Sequence, residues 1–389
     1  MADTTASCPV CSSAGMAVLY DSGTATSLSS LCQILPGAKV VRYCGECGHL
    51  AGNGVADVDS FYETDYRILL DDEDEDQIYE TRNGHIVTRT DHQMAVLTDK
   101  ISLTPGLCVL DYGCAKAAMA RKLTEAQAGI DMHLFDVSRM YEPFWDKFVA
   151  KERQAIHQTP APWNGHFDLV TSFFAFEHIT DPKAAMAHVA QLLKPGGQFY
   201  MIVPDVTGNA ADFIVVDHVN HFTRASAARL MADAGFADIE IDSQSHRGAL
   251  IVSGRKSDHA QIVTDDVAEK EIILTKARAL GDFWSNAADA VRTDEAMGIS
   301  DAGAAIYGSG FYGAFIHANL ENPAAIACFL DQSPWQQGKT LFGVPIVGPQ
   351  DLPAGISTVY VGLNPVIARD VMKEQPWLDR EGLRLVYLE

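Results

Sequence analysis

No stretch of the 389-residue sequence holds the roughly 18 consecutive apolar residues that a membrane-spanning helix needs, so none is expected. The opening MADTTASCPV lacks both the basic cluster and the apolar segment of a secretion signal, and a cytoplasmic protein is expected. Basic residues are scarce: 29 Lys and Arg stand against 51 Asp and Glu, a net charge of −22. Nucleic acids and anionic membranes are bound through a basic footprint, so neither is expected as a partner. An anionic small ligand stays open, because a single Arg or a helix end suffices for one. Cysteines number only eight, and five of them fall within the first 47 residues. In a chain without a secretion signal, such clustering points to a metal rather than to disulfides.

What is present is a globular mixture, 47% hydrophobic and 21% charged, long enough for two or three domains. The composition shifts predict a zinc-binding module over residues 1–65 and an acidic linker with a helical connector over 66–100. A central α/β domain over 101–256, a bridging helix over 257–300 and a second α/β domain over 301–389 follow. Residues 57–80 carry eleven acids against one Arg, including the unbroken run Asp71 to Asp76, which reads as a solvated loop.

From Gly106 onward, apolar runs alternate with helical stretches. GLCVLDYG, DMHLFDV, HFDLVTSFFAF and QFYMIVP read as strands. Asp181-Pro182 opens a helix, with Asp as N-cap and Pro in the first turn. ADIEIDSQ and GALIVSGRK read as an antiparallel pair. Such alternation implies a mostly parallel, doubly wound sheet. Ile273, Ala277, Leu280, Trp284, Ala287 and Val291 recur at steps of four and three, the pattern of a long amphipathic helix.

Cys8-x-x-Cys11 and Cys44-x-x-Cys47 form two knuckle-type pairs. A two-residue gap lets both sulfurs of a pair face one ion, and two pairs complete a tetrahedron with no open position. A structural zinc is therefore expected, with Cys32 and His49 as substitute ligands across the long gap between the pairs.

Leu110-Asp111-Tyr112-Gly113-Cys114-Ala115-Lys116-Ala117 lies at a strand-to-helix turn, where glycine permits a sharp bend and a close ligand approach. This segment resembles the first motif of class I S-adenosylmethionine-dependent methyltransferases, hydrophobic-Asp-x-Gly-x-Gly-x-Gly. Gly113 matches, while Ala115 and Ala117 replace the next two glycines and add methyl groups where the cofactor passes. Phe167-Asp168-Leu169-Val170, Phe176-Glu177-His178, Leu193-Lys194-Pro195-Gly196-Gly197 and HFTRASAARLMADAGF follow in the family's order. The resemblance covers about residues 100–255. It implies a Rossmann-like fold and an S-adenosylmethionine site on Asp111, Gly113, Ala115, Asp136 and Phe174, with Asp136 on the ribose hydroxyls. The adenine contacts are not legible in 153–165.

A two-pair cysteine module, a methyltransferase domain and a second Rossmann-like domain, in that order, resemble the sugar C-methyltransferases of nucleotide-linked 4-keto-deoxysugars. That resemblance implies a small-molecule acceptor of this kind and a catalytic histidine in the segment Asp217-His218-Val219-Asn220-His221-Phe222. Here Asp replaces the family's Glu, and His221 stands where an aromatic is usual. His218 is the expected base, suited by a pKa near neutrality, with Asp217 beside it. His178 is the expected donor to an enolate oxygen. Tyr66 is expected to close the site, and His221 is a further candidate. His157, His166, His188 and His246 have no supporting constellation.

Gly308-Ser309-Gly310-Phe311-Tyr312-Gly313, with Asp331 eighteen residues beyond, is a dinucleotide-binding fingerprint in a strand-to-helix context. A nicotinamide-dependent oxidoreductase is the competing reading. A non-catalytic protein on a degenerate methyltransferase fold is a third. The resemblance instead assigns the C-terminal domain to substrate binding or scaffold.

Overall fold

The computed structural model describes residues 6–62, 75–82, 85–264, 266–298, 303–373, 375–378 and 382–388. Two compact units make up the chain. The first comprises Met1–Leu19, Val41–Asp212 and Asp217–Thr275; the second comprises Tyr20–Val40, Phe213–Val216 and Lys276–Glu389.

In the first unit, seven strands form one sheet: β1 (Cys108–Tyr112), β2 (Asp131–Asp136), β3 (Gln154–Ile156), β4 (Phe167–Phe173), β5 (Leu193–Pro204), β6 (Phe236–Asp242) and β7 (Ala249–Lys256). Their order across the sheet is β3-β2-β1-β4-β5-β7-β6. Every position of β1 is buried, as continuous apolar strands require when both faces are covered. β7 alone runs antiparallel, pairing with β5 and with β6. Strand order reverses between β1 and β4, and ligands of open α/β sheets collect at the carboxyl ends beside such a point.

Helix α1 (Arg89–Lys100) starts on a capping box: Thr88 accepts from the Asp91 N–H and the Asp91 carboxylate accepts from Thr88. After α2 (Ala118–Ala126), α3 (Pro182–Leu192) begins as expected on Asp181. α4 (Arg224–Asp233) begins on a Thr223–Ser226 box. The expected connector helix is thus only half helical, because Ile78–Arg82 and His85–Thr88 pair as a hairpin. Of the acidic run, Asp71 to Asp74 lie outside the described residues. Glu75 and Asp76 are not a solvated linker. Glu75 is 4% exposed and its carbonyl accepts from the Lys116 ammonium, while Asp76 takes the N–H groups of Gln77 at 2.7 Å and Thr90 at 3.1 Å.

Helix α5 (Val267–Ala296) realises the long amphipathic pattern, with Ile273, Ala277, Trp284, Ala287 and Val291 buried. The second unit holds a sheet of β8 (Ala304–Tyr307), β9 (Ile326–Leu330), β10 (Thr340–Leu341), β11 (Val344–Val347), β12 (Thr358–Val361) and β13 (Arg384–Tyr387), with α6 (Phe311–Asn319) after β8. Residues 20–40, expected within the zinc module, fold with this unit instead. Tyr20 packs 5.6 Å from Phe213, and the buried Lys39 donates to the Val215 carbonyl at 2.7 Å. Among the described residues, no helix is long and apolar enough to cross a membrane.

Candidate active site and metal centre

At the carboxyl end of β1, Gly113 has φ +73°, and a Cβ there would lie 2.7 Å from the Ala175 Cβ. Gly113→Ala is therefore expected to destabilise the domain by about 1–3 kcal/mol, read by denaturant unfolding; an unchanged midpoint would refute the requirement. Ala115 and Ala117 also lie in the left-handed region, at φ +45° and +61°. Ala117 is fully buried and Ala115 half-buried, both packed into the core that includes Leu134 and Trp145. The two added methyl groups are thereby absorbed by packing. The Asp136 carboxylate fixes the turn, accepting from the Ala115 N–H at 2.8 Å and the Ser138 N–H at 3.0 Å. The Val137 N–H is a third backbone donor, and the carboxylate keeps acceptor capacity for a hydroxyl. Asp111 is 2% exposed, and burial pushes its carboxyl up to about 7, opposed by the Thr171 hydroxyl at 3.3 Å. Phe174 follows β4 at φ +53°, with the Arg89 guanidinium 4.6 Å from its ring centre.

Beyond β4, a 3₁₀ turn over Phe176–His178 presents Glu177 and His178. Facing them, Asp212 binds two rings: its Oδ1 lies 2.5 Å from His218 Nδ1 and its Oδ2 lies 2.8 Å from His221 Nδ1. The sequence paired Asp217 with His218, but geometry gives the orienting place to Asp212. Asp217 instead meets His178, through its carbonyl at 3.1 Å and its carboxylate at 3.5 Å from Nδ1. The His178 and His218 rings meet edge to face at 4.7 Å. Burial pulls the His218 pKa down while the Asp212 carboxylate pushes it up, and the net shift is upward. For His178, burial and the neighbouring His218 carry the pKa down to about 4. Burial favours the neutral form of Asp212, yet His221 and His218 hold its carboxylate well below the usual range. Tyr66 lies outside the described residues. Tyr62 is the aromatic at His178, with ring centres 5.8 Å apart, and its hydroxyl donates to the Asp217 carbonyl. His188 is held by the Tyr112 and Thr159 hydroxyls, and His246 packs against Tyr79 and His92.

At the other side of this segment, the four sulfurs of Cys8, Cys11, Cys44 and Cys47 all lie within 4.8 Å of one another. Cys8 and Cys47 are 3.6 Å apart, and Cys11 and Cys44 are 3.5 Å apart. Sulfurs about 2.3 Å from one tetrahedral ion stand roughly 3.8 Å apart, so the donor set fits zinc. Both knuckles use the same turn. Ser12 and Gly48 follow the second Cys of each pair at φ +64° and +70°, and their N–H groups return to the Cys8 and Cys44 carbonyls. Cys32 belongs to the other unit, and His49 is not among the cluster's ligands; its Nε2 meets Asn220 at 3.3 Å.

Residues 86–241 match the sequence pattern of the methyltransferase domain family. The chain carries a class I S-adenosylmethionine-dependent methyltransferase domain. Over 160 residues it is 27% identical to a ubiquinone biosynthesis O-methyltransferase of Aromatoleum aromaticum, covering 36% of this chain and 68% of that one. Over 118 residues it is 35% identical to the ubiquinone biosynthesis O-methyltransferase of Xanthomonas campestris pv. campestris, covering 29% of this chain and 49% of that one. The chain thus spans about half to two thirds of these relatives' lengths. Among solved structures, an S-adenosylmethionine-dependent methyltransferase of Mesorhizobium loti superposes with a TM-score of 0.35 at 18% identity, over 42% of this chain and 97% of that one.

In the methyltransferase domain, the residue that sequence reasoning passed over is Glu177. It is 1% exposed, and burial pushes its carboxyl from 4.5 up to about 8, opposed chiefly by His218. A raised folded-state pKa makes its contribution fully present below pH 4.5 and lost as pH rises through about 8. Glu177→Gln is therefore expected to unfold at a higher temperature than the native domain at pH 8 and at nearly the same temperature at pH 4.5. Scanning calorimetry at both pH values checks this, and an equal shift at both would contradict it.

The C-terminal glycine fingerprint has a packing explanation of its own. A Cβ on Gly308 would lie 2.5 Å from the Gly362 carbonyl oxygen, and one on Gly313 would clash with the Gly308 carbonyl. Asp331 accepts from the Ser309 N–H at 2.8 Å and hydroxyl at 2.6 Å, so its carboxylate is engaged by the glycine turn. Phe311 and Tyr312 pack on Trp284 of α5.

Proposed function

We propose that the protein transfers a methyl group to carbon beside a ketone of a small metabolite of the nucleotide-linked sugar type, with His218 as general base. The observation that carries this is the Asp212–His218 pair, at 2.5 Å, against the turn that follows β4. With Nδ1 donating to Asp212, the basic nitrogen of His218 is Nε2. A carboxylate–imidazole pair can take a proton from carbon beside a carbonyl and stabilise the imidazolium that results. S-adenosylmethionine supplies an electrophilic methyl on a sulfonium when bound. Asp136 would hold its ribose, and Asp111, Gly113, Ala115 and Phe174 would line its place at the β1–β4 switch point. Asp217 would steady His178, His221 would hold the second oxygen of Asp212, and Tyr66 is proposed to close the site. The ketone and the sugar rest on the resemblance in cysteine pairs and domain order.

The cysteine cluster is proposed to hold one structural zinc, and the C-terminal unit is proposed to serve substrate binding. The names of the relatives support a second reading, O-methylation, in which the same pair takes a hydroxyl proton. One experiment separates the two. The protein is incubated in deuterated water with a nucleotide-linked 4-keto-deoxysugar, then with S-adenosylmethionine, and compared with a catechol probe. The keto reading expects deuterium beside the ketone before cofactor is added, and then a product heavier by one methyl on that carbon. Methylation of the catechol alone would overturn it.

A further inference from the structure

We propose that Glu177 is a second catalytic residue, a carboxylic acid that donates a hydrogen bond to the acceptor oxygen where charge gathers as His218 removes the neighbouring proton. The inference rests on the ketone reading above and goes beyond it, because that oxygen needs a donor and the sequence pointed to His178 for the part.

Proton bookkeeping around the three groups excludes His178. Its Nδ1 faces the Asp217 carbonyl oxygen at 3.1 Å, an atom that can only accept, so Nδ1 carries the proton. The buried ring stays neutral down to about pH 4, which leaves Nε2 as an acceptor. His218 likewise spends its Nδ1 proton on Asp212 and offers Nε2 as the base. A ring nitrogen of each histidine and a Glu177 carboxylate oxygen lie within 4.8 Å of one another. An oxygen gaining negative charge is stabilised by a donor, and of these three the carboxylic O–H is the one that can serve.

The position of Glu177 is built for a fixed task. Its own carbonyl accepts from the Val219 N–H at 2.8 Å. The Asn220 amide donates to the carbonyls on either side, Phe176 at 3.1 Å and Ile179 at 2.7 Å. The side chain is 99% buried, yet among the described residues Oε2 meets no hydrogen-bond partner. A buried polar atom left unmatched calls for an explanation, and a ligand oxygen at the site supplies one. The charged and titratable groups that face the carboxyl are His178, His218, Asp212 and Arg89. Burial and Asp212 favour the protonated form, and His218 and Arg89 oppose it less strongly.

The step balances. His218 Nε2 takes the proton from carbon, the C–H electron pair becomes a carbon–carbon double bond, and the carbonyl π pair moves onto oxygen, which receives the Glu177 hydrogen bond. The oxygen pair then re-forms the carbonyl as the C=C pair makes the new C–C bond, and the methyl leaves sulfur, which keeps its bonding electrons. Glu177 ends as it began, protonated, and His218 passes its proton to solvent.

The test uses the full-length protein. Infrared pH titration is expected to show a protonated carboxyl band at pH 7 that titrates near pH 8 and is missing from Glu177→Gln. With the keto-sugar nucleotide as probe, Glu177→Ala is expected to lose about 10²–10³ in kcat. Glu177→Gln, which still donates, is expected to stay within roughly tenfold of native and to lose the alkaline limb of the pH–rate profile. Calorimetry should find S-adenosylmethionine binding unchanged in both. Absence of the band at pH 7 overturns the proposal. So does equal turnover in Glu177→Ala, or manganese binding by the native protein that Glu177→Gln abolishes. If the band is present but the native protein leaves the keto probe unmethylated, the ketone reading fails, and with it the recipient assigned to this bond.

Discussion

Asp212→Asn is expected to lower turnover by about 10²–10⁴-fold while S-adenosylmethionine binding stays within a few fold of native. The native carboxylate accepts an N–H from each of two imidazoles, at 2.5 and 2.8 Å. An amide in its place offers one acceptor and one donor, so one ring must present a bare nitrogen to it and carry its proton on the other nitrogen. If that ring is His218, the base arrives already protonated at the working nitrogen. His218→Ala should lose as much, with partial recovery in added imidazole, whereas Asp212→Asn should not recover. Release of S-adenosylhomocysteine with the keto-sugar nucleotide measures both, and native rates in Asp212→Asn would sink the assignment. The same network sets a pH window for stability. The depressed pKa of Asp212 contributes stability above its ordinary 3.8 that is lost as pH falls through the folded value. The raised pKa of His218 contributes stability below 6.5 that is lost as pH rises through its folded value. Between those limits the pair stabilises the fold fully.

Cys44→Ser is expected to remove one equivalent of zinc per chain and to unfold the knuckles while the seven-stranded sheet persists. Structural zinc contributes about 10–16 kcal/mol in isolated finger peptides, and here the cysteines share their core only with Val10, Met16 and the flank of the sheet domain. Cys8, Cys44 and Cys47 are 2–5% exposed, so an uncompensated sulfur there has no water to fall back on. Metal analysis and hydrogen exchange over 6–16 and 41–52 check this. Native metal content, or native protection of those amides, would rule the site out.

How much of this could be read in the sequence varies with the distance over which each signal acts. β1, β4 and β5 are marked by the local apolar runs Val109-Leu110, Leu169-Val170 and 199–203, and the Asp181-Pro182 helix start is a local cap; both are short-range and were legible. The doubled Cys-x-x-Cys spacing is equally local. Asp212 was not legible, because it reaches His218 through a 3₁₀ turn with no periodicity to mark it. Glu177 stood in a segment already singled out, but its significance lies in burial, which no spacing encodes. Residues 20–40 sit between the two Cys pairs in sequence and belong to the second unit in space. The paired strands Ile78–Arg82 and His85–Thr88 hid behind Tyr, Glu and Thr residues whose pattern also suits a helix. Ala115 and Ala117 looked like losses of glycine, and only their packing shows where the methyl groups go.

The strand that leaves the second knuckle has a consequence for how the protein can be assayed. Leu50 and Ala51 pair with His221 and Asn220, the Gly52 N–H donates to the Val219 carbonyl, and the Thr223 hydroxyl donates to the Gly48 carbonyl. The proposed metal and the proposed base are thus ordered by one continuous ladder. Linked binding equilibria are reciprocal: the free energy by which an acceptor at residues 217–223 tightens the grip on the proposed ion equals that by which the ion tightens the grip on the acceptor. Zinc affinity measured against a competing chelator then becomes a gauge of acceptor binding, one that can screen candidate substrates without waiting for a single turnover.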